Sequence, residues 1–312
     1  VARVVVTGGA GFIGSHVVDQ FIARGDEVIV IDDLTSGKRQ NIPAGVRLEV
    51  LDIRSDEARG LMTQLAPEIV VHAAAQMSVR VSMDEPAFDT HVNVTGLVNL
   101  LQGLKAAPKY PHFVFISTGG AIYGEQDTFP ADEEHAIRPA SVYGLSKRVS
   151  ELYLEFWQRE LGMNFVALRL GNVYGPRQNP HGEAGVIAIF CERLIDHKPC
   201  TIYGTGEQTR DFVFVADVAR AVEAVAVQKV NGTFNIGTGV ESNVKELFSG
   251  LASALKVTAA PLFGAPRSGE QLRSCIDPGR AYRKFGWKAQ VGLAEGLKLT
   301  ADWFASRRPI IP

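Results

Sequence analysis

Three features of the chain predict an α/β fold whose parallel sheet is covered by helices on both faces. First, the β-branched run Arg3-Val4-Val5-Val6-Thr7 leads straight into Gly8-Gly9-Ala10-Gly11-Phe12-Ile13-Gly14, and an amphipathic stretch with Val17, Val18, Phe21 and Ile22 follows. This reads as strand, tight turn and helix start. Second, short apolar runs at 27–31, 46–51, 69–75, 113–116 and 164–170 alternate with longer helical stretches, the pattern of βαβ units. Third, the composition turns toward Gly and Pro from Gly171 to Gly182, as where a sheet hands over to a second lobe. The expected architecture is a Rossmann-type doubly wound parallel sheet with a smaller C-terminal α/β substrate lobe. Residues 1–170 form the first unit, with 212–236 returning to it. Residues 171–211 and 237–312 form the second.

The first strand and turn carry the most chemistry. Gly8, Gly11 and Gly14 are three apart, which lets a chain turn sharply and lets a pyrophosphate touch its backbone. The helix that follows offers free N–H groups and a positive dipole end, with Phe12 and Ile13 in its first turn. An ordinary turn is the bland alternative. The second strand, 27–31, ends in Asp32-Asp33. An acid there binds adenosine ribose hydroxyls and repels a 2′-phosphate, so NAD is expected in preference to NADP. The loop after it, with Ser36, Gly37, Lys38 and Arg39, is placed to close over an adenosine or to sit solvated. Asp52, after the strand at 46–51, is a partner for the adenine amino group or a cap for the helix starting near Ser55.

The next strand passes into Ala73-Ala74-Ala75, small side chains that let backbone approach a flat cofactor. His72 at its end reads as packed and not catalytic. A polar part, Gln76 to Met83, precedes a helix from about Pro86 to Ala106. Asn93 lies within that helix and either faces solvent or braces the loops below a catalytic tyrosine. Phe113 to Ile116 is a strand with Ser117-Thr118 at its carboxyl end, where ligands bind in a doubly wound sheet. A local turn or cap is the alternative for these hydroxyls. Tyr143 and Lys147 are four apart at the start of a helix and share one face. A nearby ammonium favours a phenolate, which makes a tyrosine a usable proton acceptor near neutral pH.

The second half is read as a helix at 184–196, a short strand at 201–203, a strand run from Arg210 to Val215, a helix at 217–227 and a strand at 232–236. Helical segments at 244–255, 278–285 and 291–304 complete it. Arg210 and Arg267 are candidates for a diphosphate, since guanidinium groups match its oxygens in a fork. Each is otherwise a surface charge or a structural ion pair.

The totals exclude several classes. The 312 residues, 46% of them hydrophobic, suffice for a large core or two packed domains. The net charge is −2 from 32 basic and 34 acidic residues, with no basic block to suggest nucleic acid or a membrane surface. Cys191, Cys200 and Cys275 are far apart, without metal spacing, which fits a reducing compartment, and no metal is expected. No apolar run is long enough to span a bilayer, and no signal-like segment is read before the first strand. The expected setting is cytoplasmic.

Taken together, Thr7-Gly8-Gly9-Ala10-Gly11-Phe12-Ile13-Gly14, Asp32, Asp52-Ile53, His72-Ala73-Ala74, Asn93, Ser117 to Gly124, Tyr143-Gly144-Leu145-Ser146-Lys147, Asn172 to Arg177 and Arg210-Asp211-Phe212-Val213 resemble the extended short-chain dehydrogenase/reductase family. Within it they are similar to nucleotide-sugar 4-epimerases of the UDP-glucose 4-epimerase type, over essentially the whole chain. The resemblance implies bound NAD held by Gly8, Gly11, Phe12, Ile13, Gly14, Asp32, Asp33, Ser36, Gly37, Asp52, Ile53, Ala73, Ala74, Ala75, Asn93 and Lys147. It implies Tyr143 as proton acceptor, Lys147 as its companion that lowers the phenol pKa, and Thr118, then Ser117, as the hydroxyl on the reacting oxygen. Asn172, Arg210 and Arg267 would hold a UDP-sugar, and Ser274 would face the sugar C2 substituent. The resembled dehydratases carry Thr-Asp-Glu where this chain has Thr118-Gly119-Gly120, so elimination lacks its carboxyl groups. The implied activity is UDP-glucose/UDP-galactose 4-epimerisation, with N-acetylated hexoses open. A UDP-glucuronate 4-epimerase or decarboxylase, and a non-catalytic NAD sensor or scaffold, are the alternatives. A homodimer through the helices at 86–106 and 142–162 is also implied.

Overall fold

The computed structural model describes residues 1–181, 185–266 and 271–307. Strand β1 (Arg3–Thr7) runs into α1 (Phe12–Ala23), then β2 (Glu27–Asp32) and β3 (Arg47–Val50). Helix α2 (Asp56–Leu65) leads to β4 (Ile69–His72), and two short helices, α3 (Val79–Asp84) and α4 (Pro86–Thr90), follow. A π-helical turn (His91–Thr95) joins α4 to α5 (Gly96–Lys105). The helix expected over 86–106 is therefore interrupted, and the polar stretch before it is itself partly helical. Strand β5 (His112–Thr118), α6 (Gly119–Ile122), α7 (Val142–Leu161) and β6 (Phe165–Leu170) complete this half.

Among the described residues the main sheet has seven strands, in the order β10-β6-β5-β4-β1-β2-β3, with β10 (Gly232–Ile236) supplied by the second half of the chain. Every pairing in it is parallel. Its strands are apolar on both faces because helices cover both. Alternation then sorts the side chains. Val4, Val6, Val28, Val30 and Val71 join the core beneath α1. Val5, Ile29, Ile31, Val70 and Phe115 join the core with Leu61 and Met62 of α2 and Leu100, Leu101 and Leu104 of α5. The strand order reverses between β1 and β4, so a crevice opens there at the carboxyl ends of the strands.

The second half begins with β7 (Asn172–Tyr174), α8 (Val186–Ile195), β8 (Thr201–Tyr203) and β9 (Thr209–Phe214). Strand β9 is the hub of a small sheet. It pairs with β7, with β11 (Glu241–Asn243) and later with β13 (Arg273–Ser274). The chain returns to the main sheet with α9 (Val215–Gln228) and β10, whereas residues 212–214 stay in the small sheet as part of β9. Helix α10 (Val244–Leu255) starts on a capping box of Asn243 and Glu246. Strand β12 (Leu262–Gly264) pairs with β8, and α11 (Gly279–Phe285) and α12 (Leu293–Ser306) end the described chain. A third core joins Phe190 of α8, Leu247 and Leu251 of α10 and Leu297 of α12 to Tyr174 and Phe212. No helix among the described residues is long and apolar enough to cross a membrane.

Candidate active site

The glycine turn after β1 is shaped by two close approaches. Gly8 has φ +69°, and a Cβ there would lie 2.6 Å from the Ala74 nitrogen. The turn is therefore pressed against Ala73 and Ala74 at the end of β4, with Ala75 next in line. A Cβ on Gly14 would lie 2.1 Å from the Gly8 carbonyl oxygen, so α1 starts hard against the same turn. Gly11 is the N-cap of α1 and has no side chain to cap it. The N–H groups of the first turn, around Phe12 and Ile13, thus lack a side-chain acceptor and point to where an anion would sit.

Asp32 ends β2 beside this turn. Its carboxylate accepts from the Ala10 N–H and the Leu34 N–H, both at 2.9 Å. Burial pushes its pKa up, and these two donors oppose that. Gly37 lies against the same carboxylate. Lys38 N–H and Asn41 Nδ2 both donate to the Ala10 carbonyl at 2.9 Å, so the loop after β2 is laced over the glycine turn. Nothing in the sequence pattern singled out Asn41. Asp33 is exposed and holds Thr35 by its backbone and hydroxyl, and Ser36 is exposed on the loop. Ile53 is buried.

Asp52 does not cap α2; Ser55 does, accepting from Ala58 N–H at 3.0 Å. Both Asp52 carboxylate oxygens are instead taken by Arg54, at 2.9 Å and 2.5 Å. That guanidinium holds the Asp52 pKa below the usual range. The capping reading failed because Ser55, immediately before the first helical residue, fits the cap geometry better than an Asp three positions earlier. His72 is buried beside Thr7, 2.7 Å from its hydroxyl, and burial pushes its pKa down to about 3. It is a neutral packing residue.

The second cluster stands at the carboxyl end of β5. Tyr143 is in the first turn of α7, which Ser141 caps by accepting from Gly144 N–H at 3.1 Å. Lys147, one turn on, is buried. Its Nζ donates to the Ile116 carbonyl at 2.9 Å and lies 5.9 Å from the Tyr143 ring centroid. Thr118 accepts from Ala121 N–H at 3.2 Å, and its hydroxyl stands on the Tyr143 phenol's side and favours the phenolate. Ser117 is not in this cluster. It points to the other side of the strand and donates to Glu151 Oε1 at 2.7 Å, because adjacent strand residues face apart.

The charge balance differs from the expected one. Burial of the Tyr143 hydroxyl pushes its pKa well above the ordinary value; Asp89 adds to this and Thr118 opposes it. Lys147 is itself pushed down to about 8 by burial, with Asp89 and Glu151 acting upward. The ammonium shares a helix face with the phenol, yet in the folded chain desolvation is the largest influence on the phenol.

Two polar networks brace this cluster, and spacing alone did not point to the first. Arg169 donates from Nε and Nη2 to Glu151 at 3.0 Å and 2.7 Å, and from Nη1 to Tyr123 at 3.0 Å. Tyr123 passes the chain on to Asn235 at 2.8 Å. The one legible signal was Glu151 four residues after Lys147. On the other side, Asn93 is buried and does not face solvent. Its Nδ2 donates to the Gln76 carbonyl and to Asp89 Oδ1, and its Oδ1 accepts from Gln76 N–H. Ser150 of α7 donates to its carbonyl at 3.0 Å. Asn93 thus fastens the loop after β4 to the helix that carries Tyr143 and Lys147.

On the second lobe, Arg210 and Ser274 face each other in the register of β9 and β13. Ser274 is buried, and Arg210 Nη1 donates to the Thr209 carbonyl at 2.8 Å. Asn172 on β7 approaches Gly120 at the start of α6. Arg267 lies outside the described residues. Arg177 pairs with Asp19 at 2.6 Å, and Arg273 pairs with Glu241 at 2.5 Å while covering the Phe129 ring. The loop at 124–131 is tied to the segment 275–277 after β13 by Gln126 accepting from Cys275 N–H and by backbone bonds of Ala131 to Cys275 and Asp277. Among the described residues no group of three or more His, Cys, Asp or Glu could hold a metal ion.

The arrangement therefore offers a backbone cradle for a diphosphate, an acid for a ribose diol, and a tyrosine–lysine–threonine cluster for proton transfer. The cradle that a Cβ would fill and the uncapped start of α1 fit a dinucleotide. The model of the NAD dependent epimerase/dehydratase family matches residues 4–237. The UDP-glucose 4-epimerase of Thermotoga maritima, solved with UDP-glucose, has a TM-score of 0.93 and 45% identity, covering 97% of this chain and 99% of that one. The UDP-glucose 4-epimerase of Thermus thermophilus, solved with NAD, has a TM-score of 0.92 and 43% identity over 98% of this chain and 100% of that one. A UDP-glucose 4-epimerase of Mycolicibacterium smegmatis is 40% identical over 98% of this chain and 99% of its own length.

Proposed function

The chain belongs to the NAD dependent epimerase/dehydratase family, and from that premise we propose that it is an NAD-dependent UDP-hexose 4-epimerase interconverting UDP-glucose and UDP-galactose. The observation that carries this reading is the cluster of Tyr143, Lys147 and Thr118 at the carboxyl end of β5, with glycines and no carboxyl pair in the next two positions. Such a site moves one proton on and off a hydroxyl. It has no acid and base of its own for removing water.

The roles follow from chemistry. Tyr143 takes the proton of the sugar C4 hydroxyl, and Thr118 hydrogen-bonds the same oxygen. NAD, when bound, accepts the C4 hydride and gives it back, so the net redox change is zero. The 4-keto sugar turns about its diphosphate link and presents the opposite face of C4 for the hydride's return, and Tyr143 gives the proton back to the C4 oxygen. Lys147 holds the nicotinamide ribose. Asn172, Arg210 and Arg267 grip the nucleotide diphosphate while the sugar moves, a division in which remote binding positions the reacting part. Gly8, Gly11, Phe12, Ile13 and Gly14 cradle the cofactor diphosphate; Asp32, with Asp33, Ser36 and Gly37, takes the adenosine ribose. Asp52 and Ile53 flank the adenine, and Ala73 to Ala75 and Asn93 shape the remaining wall.

The small Ser274 leaves room for an N-acetyl group at C2. A uronate is disfavoured because Arg177 and Arg273 each already hold a carboxylate. A homodimer fits this reading: α7 carries an exposed apolar row of Leu145, Leu152, Tyr153 and Phe156, with Phe88 of α4 also exposed. A cytoplasmic setting goes with it, and the three cysteines are free, buried thiols.

The test is product separation after incubation with UDP-galactose, UDP-N-acetylgalactosamine and UDP-galacturonate. Conversion of UDP-galactose is expected, and Ser274→Tyr should depress the N-acetyl activity selectively. Failure to convert any of the three sinks the epimerase reading. Release of carbon dioxide from UDP-glucuronate would establish the decarboxylase instead.

A further inference from the structure

Asp211 is a buried carboxylate on β9, between Arg210 and Phe212. Such a group is costly unless its oxygens are bonded, and both Asp211 oxygens are. Oδ1 accepts from the Thr238 N–H at 2.8 Å and from the Thr238 hydroxyl at 2.6 Å. Oδ2 accepts from the Gly239 N–H at 3.1 Å and from the Ile276 N–H at 3.4 Å. Burial pushes the Asp211 pKa up, and these donors oppose that. Both oxygens must accept, which a carboxylate can do and an amide cannot.

The donors come from segments that have just left a sheet. Residues 237–239 directly follow β10, and Ile276 is two residues past β13. Two glycines press on Asp211 as well. A Cβ on Gly237 would lie 2.4 Å from Asp211 Oδ2, and one on Gly171, directly after β6, would lie 2.9 Å from the Asp211 carbonyl oxygen. The Gly171 N–H donates to the Ile236 carbonyl at 2.9 Å, so the ends of β6 and β10 are joined beside the carboxylate. Asp211 therefore stands where the main sheet passes to the second lobe.

The same segments carry the residues assigned to the UDP-sugar. Asn172 follows Gly171 and pairs with Phe212 in the register of β7 and β9. Arg210 precedes Asp211, and alternation sends its side chain to the other face of β9. Ser274, two residues before Ile276, pairs with Arg210. We propose that Asp211 is a positioning residue for the substrate: one carboxylate that pins β9, the loop after β10 and the segment after β13 to the end of the main sheet, and so holds Asn172, Arg210 and Ser274 in one arrangement around the nucleotide. A grip that is already ordered binds more tightly, because less freedom is lost when the ligand arrives. In Asp211→Asn the amide NH2 faces a backbone N–H whichever way it is turned. The pinned segments then loosen together.

This inference rests on the nucleotide-sugar reading for its ligand, but one of its two measurements needs no ligand. The NAD-loaded protein is compared with Asp211→Asn and with Asp217→Asn. Asp217 is a second buried carboxylate, whose Oδ2 accepts from the Gln290 and Val291 N–H groups, both at 3.0 Å. Amide hydrogen exchange should rise in Asp211→Asn at 171–174, 237–240 and 274–277 together, and stay unchanged there in Asp217→Asn. Calorimetry with UDP should give a Kd about tenfold higher in Asp211→Asn alone, the scale of one lost bond to a charged group. Its NAD content should be unchanged. Both variants should melt at lower temperature, so a carboxylate that only supported the fold would move the melting temperature and not the Kd. If Asp211→Asn does not fold, Thr238→Val, which removes a single donor from Oδ1, carries the same expectation at smaller size. Exchange that rises only at 237–240, or a UDP Kd equal to that of Asp217→Asn, overturns the proposal. Absence of UDP binding by the unaltered protein would sink the nucleotide-sugar reading alone, because hydrogen exchange still tests the pin.

Discussion

At the level of single residues, two neighbouring hydroxyls that look alike in the sequence have different fates. Thr118 reaches Tyr143, and Ser117 is tied to Glu151. Thr118→Ala should therefore depress kcat at least tenfold more than Ser117→Ala, whose main effect should be a lower melting temperature, since it strands one Glu151 bond. Equal losses of kcat would place both hydroxyls in the chemistry. Tyr143→Phe should lower turnover by about 10²–10⁴-fold, the usual worth of a positioned acid or base, and leave NAD bound. Near-normal turnover would remove Tyr143 from the reaction. Tyr143 and Lys147 were legible because an i, i+4 pair says which side chains share a helix face. The direction of their pKa shifts was not, because it comes from burial in the folded chain.

At the level of elements, the glycine turn and the π turn behave oppositely. Strand, turn and α1 were readable because hydrophobic period and glycine spacing are local properties. Gly8→Ala tests the turn. The added Cβ would meet backbone of Ala74 at 2.6 Å, at a φ of +69°, so a cost of about 1–3 kcal/mol is expected. The variant should be purified with less NAD and melt at lower temperature. Unchanged NAD content would show that the turn tolerates displacement from β4. The π turn at His91–Thr95 left no such trace. One wide turn alters the apolar spacing by a single position, less than the scatter of an amphipathic pattern, so 86–106 reads as one helix. Its consequence is local and large, since such turns recur at functional sites and this one sets Asn93 against both Asp89 and Gln76.

For the whole molecule, the question is what covers the outer face of α7. Leu145 is 52% exposed, Leu152 46% and Phe156 45%, and at spacings of seven and four they form one stripe. A stripe of this kind is costly to leave in water. Phe156→Glu should convert a dimeric mass in light scattering at micromolar concentration to a monomeric one. A monomeric mass for the unaltered chain would reject the dimer.

By itself the sequence determined the parallel α/β class, the position of the glycine turn, the acid at the end of β2 and the tyrosine–lysine pair. Each is written within a few residues, in hydrophobic period, backbone freedom or helical spacing. Tertiary structure alone decided that Asp52 belongs to Arg54 and not to a helix cap, that Ser117 belongs to Glu151, and that β9 is the hub of the small sheet. It also decided that Asp89 is buried with its Oδ1 held by Gln76 and Asn93. These outcomes are set by which partners arrive from distant strands and helices, and by how completely water is excluded once they meet. Neither quantity is a property of any short stretch of the chain.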